Sequence, residues 1–218
     1  MDGVLFDSMP AHAKAWTQVM TEFGFDFTIT DAYMHEGRTG NSTIQLIAER
    51  QGRTVTDEEI KHIYTLKSAY FDEYPAAEPM GGALELLRKI EAEGRIIILV
   101  TGSGTPSLLS RLNQYYPGIF EPERMVTAFD VKKGKPDPEP YLMGLAKGSA
   151  VLGRKLHADE CVVVENAPLG IRAAVAAGIP TIAVNTGPLP PDILSSEGAS
   201  WLYPSMQALC DAWDGMMY

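Results

Sequence analysis

The chain has 218 residues, 45% of them hydrophobic, and its 28 acidic against 18 basic side chains give a formal charge of −10. That length and apolar content suffice for one large core plus a smaller lobe and exclude disorder, while the acidic balance repels nucleic acid and leaves small anions, gathered locally by lysines, arginines and backbone N–H groups, as the anionic ligands. Only Cys161 and Cys210 are present, far apart in apolar stretches, as expected of reduced core thiols; with no apolar run near the roughly 20 residues of a membrane span and no amino-terminal leader pattern, the sequence reads as a soluble, cytoplasmic protein with no membrane partner.

The first eight residues, Met-Asp-Gly-Val-Leu-Phe-Asp-Ser, place Asp2 and Asp7 around a glycine turn, and Pro10 opens a helical pattern. Residues 11–78 show helical periodicity over 13–23, 42–50 and 57–74 and no convincing β-branched run, which predicts an inserted helical cap. Pro75, Pro79, Gly81 and Gly82 punctuate the return to residues 79–218, which with residues 1–10 form the larger domain. There, short apolar runs at 96–100, 161–164 and 181–184 alternate with helical patterns, and weaker strands are expected at 125–127 and 200–202. Helices are expected over 83–93, 106–115, 138–147 and 206–213, with another closing at Gly178. The fold class is α/β, a doubly wound parallel sheet buried on both faces, with an inserted helical cap.

In such sheets ligands lie beyond the carboxyl ends of the strands. After residues 96–100 comes Thr101-Gly102-Ser103-Gly104, a turn whose amides could cradle phosphate, although a plain helix cap explains it equally well. Lys135, fixed by Pro136, follows the strand at 125–127 and could neutralise phosphate charge; a solvated basic loop with Lys132 and Lys133 is the ordinary alternative. Glu165 and Asn166 follow residues 161–164, where oxygen ligands suit Mg²⁺ and a capping pair is the rival.

Taken in order, these segments resemble the haloacid dehalogenase-like phosphotransferases, specifically the β-phosphoglucomutase-like branch with a small helical cap. The opening Asp2-Gly3 segment is similar to the first motif, Thr101-Gly102-Ser103 to the second, Lys135-Pro136 to the third, and the stretch from Glu165-Asn166 to Ala177-Gly178 to the fourth. The first motif of that family reads Asp-x-Asp-Gly, and Met1 fills the x position. The resemblance therefore implies a nucleophilic aspartate, and the strand leading into it, just upstream of Met1, in a protein that extends beyond this start. A chain lacking the covalent step is the rival.

The resemblance further implies an aspartyl-phosphate mechanism on a small phosphorylated substrate, with Mg²⁺ as cofactor and Asp2 as acid/base. Thr101, Lys135 and the amides of Gly102 and Ser103 would hold the transferring oxygens, and Asp2, Glu165 and Asn166 the metal. Asn166 stands where an aspartate is common, so its neutral oxygen weakens or reorganises the metal site. From the cap, His12 would hydrogen-bond Asp2 and Arg38, in Gly37-Arg38-Thr39-Gly40-Asn41, would grip phosphate; an exposed helix histidine and a surface arginine are the alternatives. Lys67 matches a cap lysine only loosely, and a solvated helix face is the simpler expectation there. Phosphatase and phosphomutase stay undivided, and a catalytically silent phospholigand-binding protein is the reading from another class. Oligomeric state is not legible in the sequence.

Overall fold

The structure is a computed structural model that describes residues 1–104 and 106–215. Residues 1–6 form a turn in which the Met1 carbonyl accepts the amides of Leu5 and Phe6 and Gly3 adopts φ +64°, the left-handed region natural to glycine. The chain then builds helices α1 (Met9–Glu22), α2 (Ile29–Met34), α3 (Gly40–Arg50) and α4 (Asp57–Glu73). Two of these begin with reciprocal capping, Thr28 with Asp31 and Thr56 with Glu59, which satisfies amides that a helix start otherwise leaves orphaned. Their apolar faces close a separate cluster around Val19, Met20, Ile44 and Ile63, each at most 1% exposed.

The polypeptide leaves this lobe beside the point where it came in. Asp7 donates its amide to the Glu78 carbonyl (2.9 Å), and the Leu5 carbonyl accepts the Met80 amide (2.7 Å). There follow α5 (Ala83–Ala92), β1 (Leu99–Val100), α6 (Pro106–Tyr115), β2 (Met125–Val126), α7 (Glu139–Leu152), β3 (Val163–Glu165), α8 (Pro168–Ala176), β4 (Thr181–Val184), α9 (Pro191–Ser196), β5 (Trp201–Tyr203) and α10 (Met206–Ala212). Every strand pairing is parallel, as helical crossovers require, with β1 on β2 and β3–β4–β5 as a second sheet. The α/β fold with a helical cap is thus present, and no helix among the described residues is long and apolar enough to cross a membrane.

Several expectations need correction. The run at 96–100 pairs only over Leu99–Val100, and the strand expected at 161–164 is Val163–Glu165. In place of one continuous sheet there are two, and between β1 and β3 lies a cleft of about 430 Å³ lined by Ile98, Leu99, Val163 and Val164. Each of these strands pairs on one edge only, and Ile96, Ile97, Ile98, Val162, Val163 and Val164 are half-buried, whereas β4, paired on both edges, is fully buried. Engineered core cavities cost about 24 cal/mol per Å³. For 430 Å³ that scales to an upper limit on the order of 10 kcal/mol, comparable to the whole stability of a domain. Cys161 is half-buried beside this cleft, not a core thiol; Cys210 is buried, and both are free. The short helices α2 and α9 escape periodicity because six residues are less than two turns.

Phe6 ties the opening turn to the larger core. It is fully buried and meets Tyr115 and Tyr116 edge-on, with centroids at 5.9 and 5.4 Å. Phe6→Ala should lower unfolding free energy by about 3–5 kcal/mol, measured by urea titration, because both a transfer and a cavity contribution are lost.

Candidate active site

The carboxyl ends of β1 and β3, the loop after β2 and the opening turn meet under the cap. Asp2, His12, Arg38, Lys67, Thr101, Gly102, Ser103, Lys135, Glu165 and Asn166 all line one pocket, scattered as they are in sequence, with a cavity of about 80 Å³. Topology does this work: each strand end delivers one segment, and the helical lobe supplies the roof.

Beneath the pocket is a buried ion pair. Lys135 Nζ donates to Glu165 Oε1 and, at 3.3 Å, to the Val100 carbonyl; Tyr141 donates its hydroxyl to the same Oε1 at 2.7 Å. Oε2 accepts the amides of Asn166 (3.0 Å) and Ala167 (3.2 Å), so both carboxylate oxygens are engaged. Burial pushes the Glu165 carboxyl up, and the Lys135 charge and hydrogen bond outweigh it, leaving the group ionised below its usual range. Gly170 makes the seat: a Cβ there would lie 2.2 Å from the Glu165 carboxylate. Lys135, only 4% exposed, is no solvated loop lysine, unlike its neighbours Lys132 and Lys133.

Asp2 belongs to a second network. Ser8 Oγ donates to its Oδ1 at 2.6 Å, and His12 Nε2 lies 3.0 Å from the same oxygen. Lys67 Nζ is 2.6 Å from His12 Nδ1. Since an ammonium only donates, Nδ1 is the acceptor and Nε2 carries the proton toward Asp2. Burial, then the Lys67 charge, hold His12 below its usual pKa and keep it neutral, stacked on Phe71 at 4.1 Å. Burial alone would raise the Asp2 carboxyl; the electrostatic pull of the His12 ring, with the hydrogen bonds from His12 and Ser8, holds it below the carboxylate range, so Asp2 is ionised. Burial lowers Lys67 to about 8. His12 and Lys67 are 7% and 3% exposed, so neither lies on the solvated helix face that the bare sequence allows.

The cap loop completes the roof. The Gly37 carbonyl would lie 2.3 Å from a Cβ on Gly102, so the loop rests on the hydroxyl turn. In that turn Thr101 Oγ accepts the Ser103 amide at 3.1 Å, which occupies one of the two amides expected to face a phosphate. Arg38 stands near Arg50 and Arg172, and its Nε finds no hydrogen-bond partner among the described residues; Arg50 instead reaches His35 Nε2 at 3.0 Å.

Sequence reading missed Glu36. Its Oε1 accepts Asn166 Nδ2 at 2.9 Å, across the two lobes, and burial, opposed by that bond and reinforced by Glu165 and Asp2, pushes its carboxyl up to about 8. The signal was adjacent: Glu36 precedes the Gly37-Arg38 segment already singled out. Tyr141 was missed too.

Oxygen donors suited to Mg²⁺ are therefore present in Asp2, Glu36 and Asn166, whose Nδ2 bond leaves Oδ1 as its acceptor. The uncompensated acid at Glu36 is what a cation would relieve. Among the described residues no three His, Cys, Asp or Glu side chains gather as a metal cage, which fits an ion that takes one or two carboxylates and completes its shell from substrate and water. Glu165, expected as a ligand, is already saturated by Lys135, Tyr141 and two amides.

This order of strand-end groups matches a known family over most of the chain, for residues 1–184 fit the model of the haloacid dehalogenase-like hydrolases. The chain belongs to that family. Among similar members, hexitol phosphatase A of Escherichia coli is 33% identical over 187 residues, covering 85% of this chain and 80% of that enzyme. The 2-deoxyglucose-6-phosphate phosphatase 1 of Saccharomyces cerevisiae is 28% identical over 217 residues, covering 93% and 84%. In the same family fold, the structure of a β-phosphoglucomutase-like protein from Bacteroides vulgatus superposes with a TM-score of 0.91 at 55% identity, over 98% of this chain and 85% of that one.

Two outcomes test the geometry. Gly102→Ala should lift the cap loop and weaken phosphate binding about tenfold or more, read by calorimetry, since its methyl group would overlap the Gly37 carbonyl. A Glu36 pKa of about 8 in the fold against 4.5 unfolded means that folding takes up a proton between those values, so this group lowers stability as pH rises from 4.5 to 8. In EDTA-treated protein, Glu36→Gln should flatten that decline in denaturation midpoints.

Proposed function

We propose that the protein catalyses phosphoryl transfer from a small phosphorylated metabolite of the cytoplasm, a phosphorylated sugar or polyol, as a phosphatase or a β-phosphoglucomutase-like phosphomutase. The observation that carries this reading is the meeting of Asp2, Thr101, Lys135 and Glu165 in one pocket beneath the cap. The sugar phosphatases among its relatives support the substrate class. Residues 1–10 and 79–218 act in this reading as the phosphotransfer core and residues 11–78 as the lobe that selects the substrate.

The attacking carboxylate belongs to an aspartate joined to the Met1 amine, which has Lys135 and Glu165 among its charged neighbours. In-line attack on the phosphorus forms an aspartyl-phosphate as the ester oxygen leaves, and transfer to water or a second hydroxyl frees the carboxylate. Asp2 handles the protons. In the first half-reaction its acid form gives its proton to the departing oxygen, and the carboxylate left behind withdraws a proton from the acceptor in the second, which restores the acid form for the next cycle. Lys135 and the Thr101 hydroxyl hold charge on the transferring oxygens, and Arg38 reaches the substrate's anionic group. Lys67 fixes the proton of His12 on the nitrogen that faces Asp2, so closure of the lobe sets the acid/base. Asp2, Glu36 and Asn166 would hold Mg²⁺, which would supply positive charge to offset that on the phosphoryl group.

The cavity of about 80 Å³ is far below the roughly 300–1,000 Å³ of ordinary ligand pockets, so a sugar phosphate requires the cap to open. A second reading, a phospholigand-binding protein without turnover, draws on the engagement of both core carboxylates, Asp2 by Ser8 and His12 and Glu165 by Lys135. Phosphate release from hexitol, glycerol and deoxyglucose phosphates with Mg²⁺ separates the two. Turnover is expected when an apolar strand ending in aspartate precedes Met1, and its absence there on every ester would sink the enzymatic reading. In that extended protein Asp2→Asn should lower kcat by about 10²–10⁴-fold while phosphate still binds by calorimetry.

A further inference from the structure

The roof of the pocket is aromatic where its floor is charged. Trp16 of α1, Phe27 ahead of α2 and Tyr64 of α4 line it from the cap, and Thr101, Lys135 and Glu165 line it from the larger domain. Trp16 is the middle ring of the three, its centroid 6.3 Å from that of Phe27 and 6.2 Å from that of Tyr64, with tilts of 41° and 39°. The apolar cluster of the cap accounts for only part of this arrangement. Phe27 is buried within the cluster, whereas Trp16 and Tyr64 pack against it and stay half-buried, which leaves ring surface at the pocket. Tyr64 has its place because Gly40 makes room, since a Cβ there would lie 2.1 Å from the ring.

The position of Trp16 fixes which end of a substrate it meets. Lys67 Nζ stands 5.4 Å from the Trp16 centroid and 2.6 Å from His12 Nδ1, so the indole adjoins the side chains that set the proton of Asp2. That proton goes to the departing oxygen. A group resting on Trp16 is therefore the one that leaves, not the phosphate.

We propose that Trp16 is the specificity residue for the leaving group and takes the C–H face of a sugar in its ring form, in preference to an open-chain polyol. The proposal rests on the phosphoryl-transfer reading and narrows its substrate class. A sugar ring gathers C–H bonds into a flat apolar patch and keeps its hydroxyls at the rim, which suits an aromatic surface with a few polar groups around it. An open chain offers the same groups only after its torsions are frozen, and that ordering counts against binding.

One donor for the rim is identifiable. Arg50 donates to His35 Nε2 at 3.0 Å, and a guanidinium never accepts, so the His35 proton is on Nδ1. His35 lines the same pocket and is 9% exposed, and its Nδ1 has no hydrogen-bond partner among the described residues. A sugar hydroxyl supplies the missing acceptor, whereas a hydrocarbon leaving group leaves the donor unanswered.

The test measures affinities by calorimetry on the full chain with Mg²⁺ present, using inorganic phosphate, 2-deoxyglucose 6-phosphate, glucitol 6-phosphate and phenyl phosphate. The ring sugar ester should bind about tenfold or more tighter than phosphate and than the two other esters. Trp16→Leu should bring it to within about twofold of phosphate, and Trp16→Phe should keep most of the difference. The readout is the ratio of two affinities within one variant, which a loss of folded protein leaves unchanged. Saturable quenching of tryptophan emission by the sugar ester should disappear in Trp16→Phe, although Trp201 and Trp213 remain. Equal affinity for ring and open-chain esters, phenyl phosphate as the tightest ligand, or an unaltered ratio in Trp16→Leu would overturn the proposal. Phosphate bound with no gain from the sugar ring removes this inference alone, whereas a chain that binds neither phosphate nor any ester removes the phosphoryl-transfer reading with it.

Discussion

Glu165 has to stay charged in a place that water does not reach, and most of the larger domain is arranged to let it. Lys135 comes from the loop after β2, Tyr141 from α7, two amides from the start of α8, and Gly170 clears the space. Pairing a buried carboxylate is weak evidence for net stability, because desolvation of both charges offsets their attraction. Breaking it is another matter: an unpaired buried charge costs about 3–5 kcal/mol. The pair therefore fixes register, holding β1, α7 and α8 to one point, and Lys135 reaches the Val100 carbonyl as well. A cation that must stand beside a phosphate is immobilised in advance.

The two lobes share apolar packing, since Ala15 and Phe71 of the cap join the cluster of the larger domain, and polar contacts cross between them at the site. Lys67 and His12 bring the cap to Asp2, and Glu36 brings it to Asn166. Gly3 permits the second contact, since a Cβ there would lie 1.9 Å from the Asn166 amide nitrogen. Such contacts are strong when water is excluded and weak when it returns, which suits a roof that must lift for each substrate.

Much of this was legible in the residues. Strand ends announce themselves through apolar runs that stop at polar residues, and Thr101, Lys135 and Glu165 were found that way. The run at 181–184 was placed to the residue, because a strand with neighbours on both sides obeys its β-branched composition alone. The runs at 96–100 and 161–164 have the same composition and pair less, because pairing depends on what lies alongside. Lys67 shows the opposite failure. Its spacing on α4 is that of an ordinary polar position, and only the approach of His12 from α1, 55 residues away in sequence, makes it a buried donor. Glu36 was hidden for a similar reason, its partner Asn166 lying 130 residues distant.

The paired segments that lead into and out of the helical lobe carry a mechanical consequence. Asp7 and Glu78, and Leu5 and Met80, are joined backbone to backbone, so the pivot is a two-ply ribbon that twists as a unit and resists splaying. Side chains there contribute little to its stiffness, and a survey of substitutions at Asp7 or Glu78 should find most replacements neutral and proline at Asp7 an exception, because proline alone takes away the donor that keeps the two plies together.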